Sequence, residues 1–167
     1  QSRYYDKTGQ ESKEWKGYDA YAQTRDAVAY IRNHATQPAR NQKPFGLFLS
    51  WGPPHAPYRT APPRWVDRYD SRKLTLRQNV PPHLGKQAQS TYAGYYAHCS
   101  ALDECVGWLV EALKESGQLE NTILVYTSDH GDMLHSRGQL KKQRPWDESI
   151  RVPFLVRCPS SLKVKPR

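Results

Sequence analysis

Apolar positions along this chain repeat with two periods. Between residues 90 and 116, Tyr92, Tyr95, Cys99, Leu102, Val106, Leu109 and Leu113 recur every three or four places. That spacing lines one face of a helix, and Gly117 follows where a helix C-terminus takes a left-handed residue. A second stripe of Tyr21, Thr24, Val28 and Ile31 predicts a helix over residues 17–34. Three short apolar runs, residues 45–51, 122–128 and 152–157, read instead as strands, the first as a buried parallel strand. Gly52-Pro53-Pro54 stops that first run. Residues 1–16, 37–44 and 131–149 are polar and read as loops, residues 62–69 as one or two helical turns, and residues 74–89 as irregular. The order strand, helix, strand, strand predicts an α/β sheet. No repeat is visible, and no apolar run approaches the roughly 18 residues that a membrane span requires.

Two of the predicted strands end in residues that can carry chemistry. Ser128-Asp129-His130-Gly131-Asp132 follows Ile123-Leu124-Val125-Tyr126-Thr127. The C-terminal mouth of a strand is where α/β enzymes place polar groups. Asp129 offers a hard anionic oxygen and His130 a ring nitrogen, so the pair can hold a divalent cation or an oxyanion. The same five residues would equally serve as a turn capping a strand. His55 lies in Pro53-Pro54-His55-Ala56-Pro57, directly after the first strand. Prolines stiffen the backbone around it, and an imidazole held there can protonate a leaving oxygen near neutral pH. A surface histidine in a proline-rich turn is the plain alternative. Asp147-Glu148 resembles an acid/base pair, but Arg144 and Arg151 nearby point to structural ion pairing. Trp65 and Trp146 could rim a sugar site, whereas core packing is expected for Trp51.

Composition changes this picture little. At 167 residues the chain can bury a sizeable core. Its 25 Lys and Arg against 16 Asp and Glu give a net charge of +9. These bases are scattered and no nucleic-acid-binding motif accompanies them, so nucleic acid is not the expected partner. An anionic substrate, or plain solvated charge, accounts for them. Three cysteines are an odd number without metal-ligand spacing and read as free thiols.

Longer stretches carry a family resemblance. FGLFLSWGPPHAPY at residues 45–58, YYAHCSALDECVGWLVEALKESGQLENT at 95–122 and TILVYTSDHGDMLHSRGQLKKQRPWDESIRVPFLVRCP at 122–159 occur in this order. Together they resemble the later part of the catalytic domain of type I sulfatases, in the alkaline phosphatase superfamily, over roughly residues 17–159. The resemblance implies a partial alkaline-phosphatase-like α/β sandwich, with a mostly parallel sheet and flanking helices. It makes residues 1–167 part of a single catalytic domain and the parent protein a sulfuric ester hydrolase. It implies that Asp129 and His130 are metal ligands, for Ca²⁺ first and Mg²⁺ or Mn²⁺ otherwise. His130 departs from the asparagine more common there. It implies that His55 contacts the sulfate and acts as the acid, and that Lys142 binds the sulfate. Relatives commonly carry Gly and His where this chain has His135 and Arg137, so substrate contacts are expected to differ there.

The family makes a formylglycine nucleophile from a Cys/Ser-x-Pro/Ala-x-Arg motif, which these 167 residues lack. Cys99-Ser100-Ala101-Leu102-Asp103 ends in the wrong residue, and Cys158-Pro159 has its proline one place early. No two Asp are adjacent, and there is no Gly-Lys-x-His segment. All three features are expected upstream of Gln1, making this an internal fragment that does not turn over sulfate esters alone. The expected substrate is a sulfated small molecule or polysaccharide, and the expected setting of the parent is periplasmic or secreted. A phosphonate or phosphodiester hydrolase of the same superfamily is the near alternative. A non-catalytic polyanion-binding module is the distant one.

Overall fold

Two long helices packed side by side form the frame against which the cleft-forming segments rest. The computed structural model describes residues 3–5, 12–38 and 43–163. Its helices are α1 (Asp19–Ala35), the single turn α2 (Pro63–Val66), α3 (Gly85–Glu115) and the single turn α4 (Asp147–Ile150). Its strands are β1 (Arg3–Tyr5), β2 (Ser12–Glu14), β3 (Leu124–Thr127) and β4 (Phe154–Arg157).

Helix α1 buries Ala20, Thr24, Ala27 and Ile31, one side chain per turn along a single stripe. Helix α3, about 46 Å long at 1.5 Å per residue, meets that stripe with Leu102, Cys105, Ala112 and Leu113. Small residues let the backbones approach closely enough for the Cys105 thiol to lie 3.8 Å from the Ala20 carbonyl oxygen. Leu113 is 3% exposed in this seam, so Leu113→Ala would cost about 2–5 kcal/mol through the cavity it leaves. The predicted α3 stripe is thus divided. Tyr92, Leu102 and Leu113 are buried, while Tyr95, Cys99, Val106 and Leu109 are half-buried on a second face. Helix α3 begins five residues before the predicted start, and Gly117, at φ 69°, terminates it. There Gln118 N–H donates to the Leu113 carbonyl at 2.8 Å and Gly117 N–H to that of Lys114 at 3.0 Å, the paired bonds of a Schellman end.

The strands depart from expectation in three ways. Residues 45–51 are extended but join no ladder among the described residues. Phe45 and Trp51 pack against the helices, yet Phe48 is 94% exposed, so the run is neither a paired strand nor wholly buried. A strand needs a neighbour for its N–H and C=O groups, and apolar content alone does not supply one. Second, β1 and β2 pair antiparallel where a loop was expected. Third, the α/β class holds, but both described ladders are antiparallel rather than parallel. Leu124 faces Arg157 and Thr127 faces Phe154. The chain between β3 and β4 spends its length in loops and the single turn α4, without the crossover helix that usually returns a chain for parallel pairing. Inward-facing Leu124 packs on the α1–α3 seam, while Ile123, Val125, Phe154, Leu155 and Val156 stay exposed. No described helix is long and apolar enough to cross a membrane. All three cysteines are free thiols.

Candidate active site

Residues 45–52 with the proline-rich turn at 53–57, the end of β3 and the second face of α3 border a cleft of about 1540 Å³. Its walls are apolar where Val106 and Leu109 face it, and polar where the strands end. His55, Asp129, His130 and Lys142 all line it, so the four residues singled out in the sequence border one space.

Asp129 and His130 leave β3 side by side. His130 Nδ1 lies 2.8 Å from the Gly131 carbonyl. A carbonyl only accepts, so Nδ1 carries a hydrogen, and in the neutral form of the ring the lone pair sits on Nε2. Nε2 is 3.4 Å from Asp129 Oδ2, where a protonated ring would pair with the carboxylate and a neutral one could share a cation with it. Adjacent ligand atoms on a cation with bonds of about 2.3–2.6 Å stand this far apart, so the pair suits a divalent ion. Slight burial pushes the Asp129 carboxyl up. Attraction to His130, the amide N–H groups and the Ser128 hydroxyl outweigh it and hold the carboxyl below its usual range. Among the described residues no cluster of three or more His, Cys, Asp or Glu forms, so at this place the chain offers a divalent ion a pair of donors and not a closed set. Gly131 permits the turn behind them. A Cβ there would lie 2.1 Å from the Glu148 carbonyl oxygen, to which no side chain could adapt.

His55 is exposed on a loop that helix α3 grips from beneath. Its Nδ1 sits 2.8 Å from the Ala56 carbonyl and must donate to it, which leaves Nε2 as the ring nitrogen with no hydrogen bond among the described residues. Two residues on, the Pro57 carbonyl accepts from buried His98 Nε2 at 3.4 Å, while the Tyr18 hydroxyl donates to His98 Nδ1 at 2.8 Å. Burial holds the His98 imidazolium below its ordinary pKa, outweighing the stabilising contact with Pro57. Next along, Tyr58 presses its backbone onto Gly94 of α3 so closely that a Cβ there would fall 2.2 Å from the Tyr58 oxygen. The Tyr58 hydroxyl donates to Asp132 Oδ2 at 2.7 Å. Burial, then the hydrogen bond to Asp132, pushes its pKa well up, so it keeps its proton.

Lys142 rises from a tightly wound loop. Leu134, His135, Arg137, Lys141 and Gln143 all have positive φ, a conformation that L-residues disfavour. Lys141 and Gln143, at 64° and 68°, flank Lys142 itself. Asp132 Oδ1 closes this loop by accepting Leu134 N–H at 2.9 Å and Lys141 N–H at 3.1 Å, and Met133 N–H donates to the Lys141 carbonyl at 2.8 Å. Arg77 adds bonds to the Met133 carbonyl and the Ser136 hydroxyl, both at 3.2 Å. Buried His135 bonds Thr91 at 2.9 Å and Arg137 stacks on Trp146 at 5.0 Å, so both sit in the loop's scaffold. No hydrogen bond or ion pair among the described residues engages the Lys142 ammonium.

The remaining candidates are structural. Asp147 pairs with Arg151 at 3.8 Å as expected, but Arg144 bonds Gln139 instead, and Glu148 accepts from Asn79 at 2.6 Å. Trp51 packs beside Ala20 and Leu102 and donates to Thr24 at 3.1 Å. Trp65 has both Arg64 and Arg68 within 5.5 Å of its ring centre, so its face is occupied. The sequence reading missed Tyr58, Gly94, His98 and Tyr18. Only Tyr58 lay in a conspicuous motif; the others act through contacts across some 40 to 80 positions of chain, for which one sequence carries no signal.

The fold agrees with known proteins over nearly its whole length. The crystal structure of yidJ from Bacteroides fragilis superimposes with a TM-score of 0.87 at 28% identity, over 99% of this chain and 36% of that one. The ulvan-active sulfatase of Formosa agariphila is 38% identical over 164 residues, 97% of this chain and 31% of that protein. An endo-4-O-sulfatase of Bacteroides thetaiotaomicron is 32% identical across 98% of this chain and 32% of its own length. The chain thus spans about a third of the curated relatives it matches. A sequence model described as Sulfatase matches residues 2–166, and with an alkaline-phosphatase-like fold beneath it this chain belongs to the sulfatase family.

Proposed function

We propose that the protein carrying this chain hydrolyses sulfate esters on a polysaccharide, and that the chain supplies half of the active site. One observation carries the reading: His55, Asp129, His130 and Lys142 border a single cleft in a chain of the sulfatase family. A polymeric substrate is supported by the relatives named for ulvan and for endo-acting desulfation. Such a substrate does not cross membranes unaided, which favours a periplasmic or secreted enzyme.

Asp129 Oδ2 and His130 Nε2 would hold the divalent cation, which we take to be Ca²⁺ because Asp129 is a hard oxygen ligand. In this family the cation polarises the sulfate and formylglycine supplies the nucleophile. The rest falls to residues of this chain. The unpaired Lys142 ammonium neutralises a sulfate oxygen as charge builds in the transition state. His55 spends Nδ1–H on Ala56, so in its protonated form Nε2–H is the ring donor left to protonate the departing alcohol.

The test is turnover of a sulfated oligosaccharide by the full-length protein, with and without chelator, beside its Asp129→Ala variant. Chelation and the substitution should each abolish sulfate release, and the variant should lose bound metal by elemental analysis. Sulfate release indifferent to both would refute the assignment. Preferential cleavage of a phosphonate monoester would favour the other superfamily chemistry.

A further inference from the structure

The two loops that bear His55 and Lys142 are far apart in sequence, yet among the described residues a side-chain hydrogen bond joins them. Tyr58 and Asp132 are 74 positions apart, and their oxygens lie 2.7 Å from one another. Asp132 is also the centre of the Lys142 loop, because its other oxygen accepts the Leu134 and Lys141 N–H groups. A hydrogen bond to a carboxylate is short and strong compared with a neutral one. We infer that Asp132 and Tyr58 are positioning residues: their bond clamps the loop carrying His55 to the loop carrying Lys142 and so sets the spacing of acid and anion-binding ammonium. This rests on the sulfatase reading of the cleft.

The connection is short and has little slack. From Lys142 it runs through the Lys141 amide to the Asp132 carboxylate, across to the Tyr58 hydroxyl, and back three residues to His55. On the Lys142 side, five non-glycine residues hold positive φ. Such a backbone persists only where its surroundings over-determine it, and Asp132 is the group that closes the turn. On the His55 side, Gly94 and His98 of α3 fix residues 57 and 58. With each loop anchored, the Tyr58–Asp132 bond is the direct side-chain tie between them. Neither residue needs to touch substrate for this role.

A set of variants of the full-length enzyme tests the clamp: Tyr58→Phe, Asp132→Asn, Asp132→Ala, and Tyr58→Phe with Asp132→Ala. Tyr58→Phe keeps the ring and deletes only the bond. It should lower kcat about 10- to 100-fold, the usual cost of a misplaced catalytic group, with KM little changed. The loss should be greater on alkyl than on activated aryl sulfates, because proton delivery by His55 is what the clamp aligns. Asp132→Asn should return kcat to within a few-fold of wild type. Its Oδ1 can stay on the two amides while Nδ2–H donates to the Tyr58 oxygen. The double variant should be no worse than Asp132→Ala alone, since Asp132→Ala already removes the bond that Tyr58→Phe deletes. Undiminished kcat in Tyr58→Phe, or additive losses in the double variant, would overturn the inference. Amide hydrogen exchange at Leu134 and Lys141 gives a readout independent of turnover, expected to quicken about tenfold or more in Tyr58→Phe. If the wild-type protein releases no sulfate, the functional reading fails by itself. Exchange then decides the clamp, and unchanged rates would overturn it.

Discussion

Replacing Gly94 by alanine should be costly although alanine is the better helix former, and the structure says by how much. A Cβ at Gly94 would lie 2.2 Å from the Tyr58 carbonyl oxygen, 2.9 Å from its carbon and 3.0 Å from its Cβ. Normal contact needs an opening of about 1 Å. The obstacle is mostly backbone, and Tyr58 is held on its far side by Asp132, so easy relaxation is denied. Overpacking costs about 1–3 kcal/mol, and a backbone clash belongs at the upper end. Helix propensity returns about 1 kcal/mol, leaving a net loss of about 2 kcal/mol. Gly107 lies on the same helix, exposed, with nothing within 4 Å of its would-be Cβ. Gly107→Ala should therefore stabilise by up to about 1 kcal/mol. Because propensity is common to both, their difference of about 3 kcal/mol isolates the clash. Urea unfolding followed by far-ultraviolet circular dichroism measures it. Two variants within 1 kcal/mol of each other would refute the close approach of α3 to Tyr58. In the active enzyme, a 1 Å shift of the His55 loop should also cost about 100-fold in turnover.

Three other outcomes follow from the site. Burial holds the His98 pKa below the ordinary 6.5, so the unfolded chain takes up that proton first. Stability is then full above pH 6.5 and falls below it, towards the folded pKa, by up to about 1.4 kcal/mol per pH unit. His98→Gln should flatten that acid slope between pH 7.5 and 5, and unaltered slopes in pH-dependent unfolding would contradict it. Lys142→Ala should leave bound metal unchanged and reduce kcat/KM by about 2–4 kcal/mol of transition-state stabilisation; activity within fivefold of wild type would remove Lys142 from the site. His55→Ala should slow alkyl sulfates far more than nitrophenyl sulfate, since only the former need a proton on departure. Equal losses on both would argue for a binding role instead.

What could be read from the sequence was what depends on local pattern. The α3 stripe, its end at Gly117 and the run into Ser128-Asp129-His130 all appear in place, because period and turn chemistry are short-range. Strand pairing was less legible. Val152 and its neighbours carry no mark of direction, so β4 could not be known to run against β3. Residues 45–51 look like a strand by composition, but pairing belongs to two segments and a sequence shows one at a time. The hairpin of β1 and β2 was hidden by its polar residues. In the candidate site, His55, Asp129 and His130 were visible as motifs behind apolar runs and Lys142 only through the family resemblance, while their supports were not. Gly94 and His98 look like ordinary members of a helix, and only the fold reveals what presses on them.

The bare side of β3 and β4 has a consequence for these 167 residues taken alone, about a third of the length of the relatives they match. Phe154, Leu155, Val156, Ile123 and Val125 present greasy surface beside a strand edge, with Phe48 protruding close to fully exposed. Surfaces of this kind attract one another. The net charge of +9 opposes that attraction, but salt screens repulsion beyond about 8 Å at physiological ionic strength. Colloidal behaviour should accordingly hinge on buffer: dispersed in dilute salt and cold, where apolar attraction weakens, and clustering as salt and temperature rise. Light scattering across a sodium chloride series would trace the crossover. Val156→Lys, which sets a cation in the middle of the bare face, should move that crossover to higher salt.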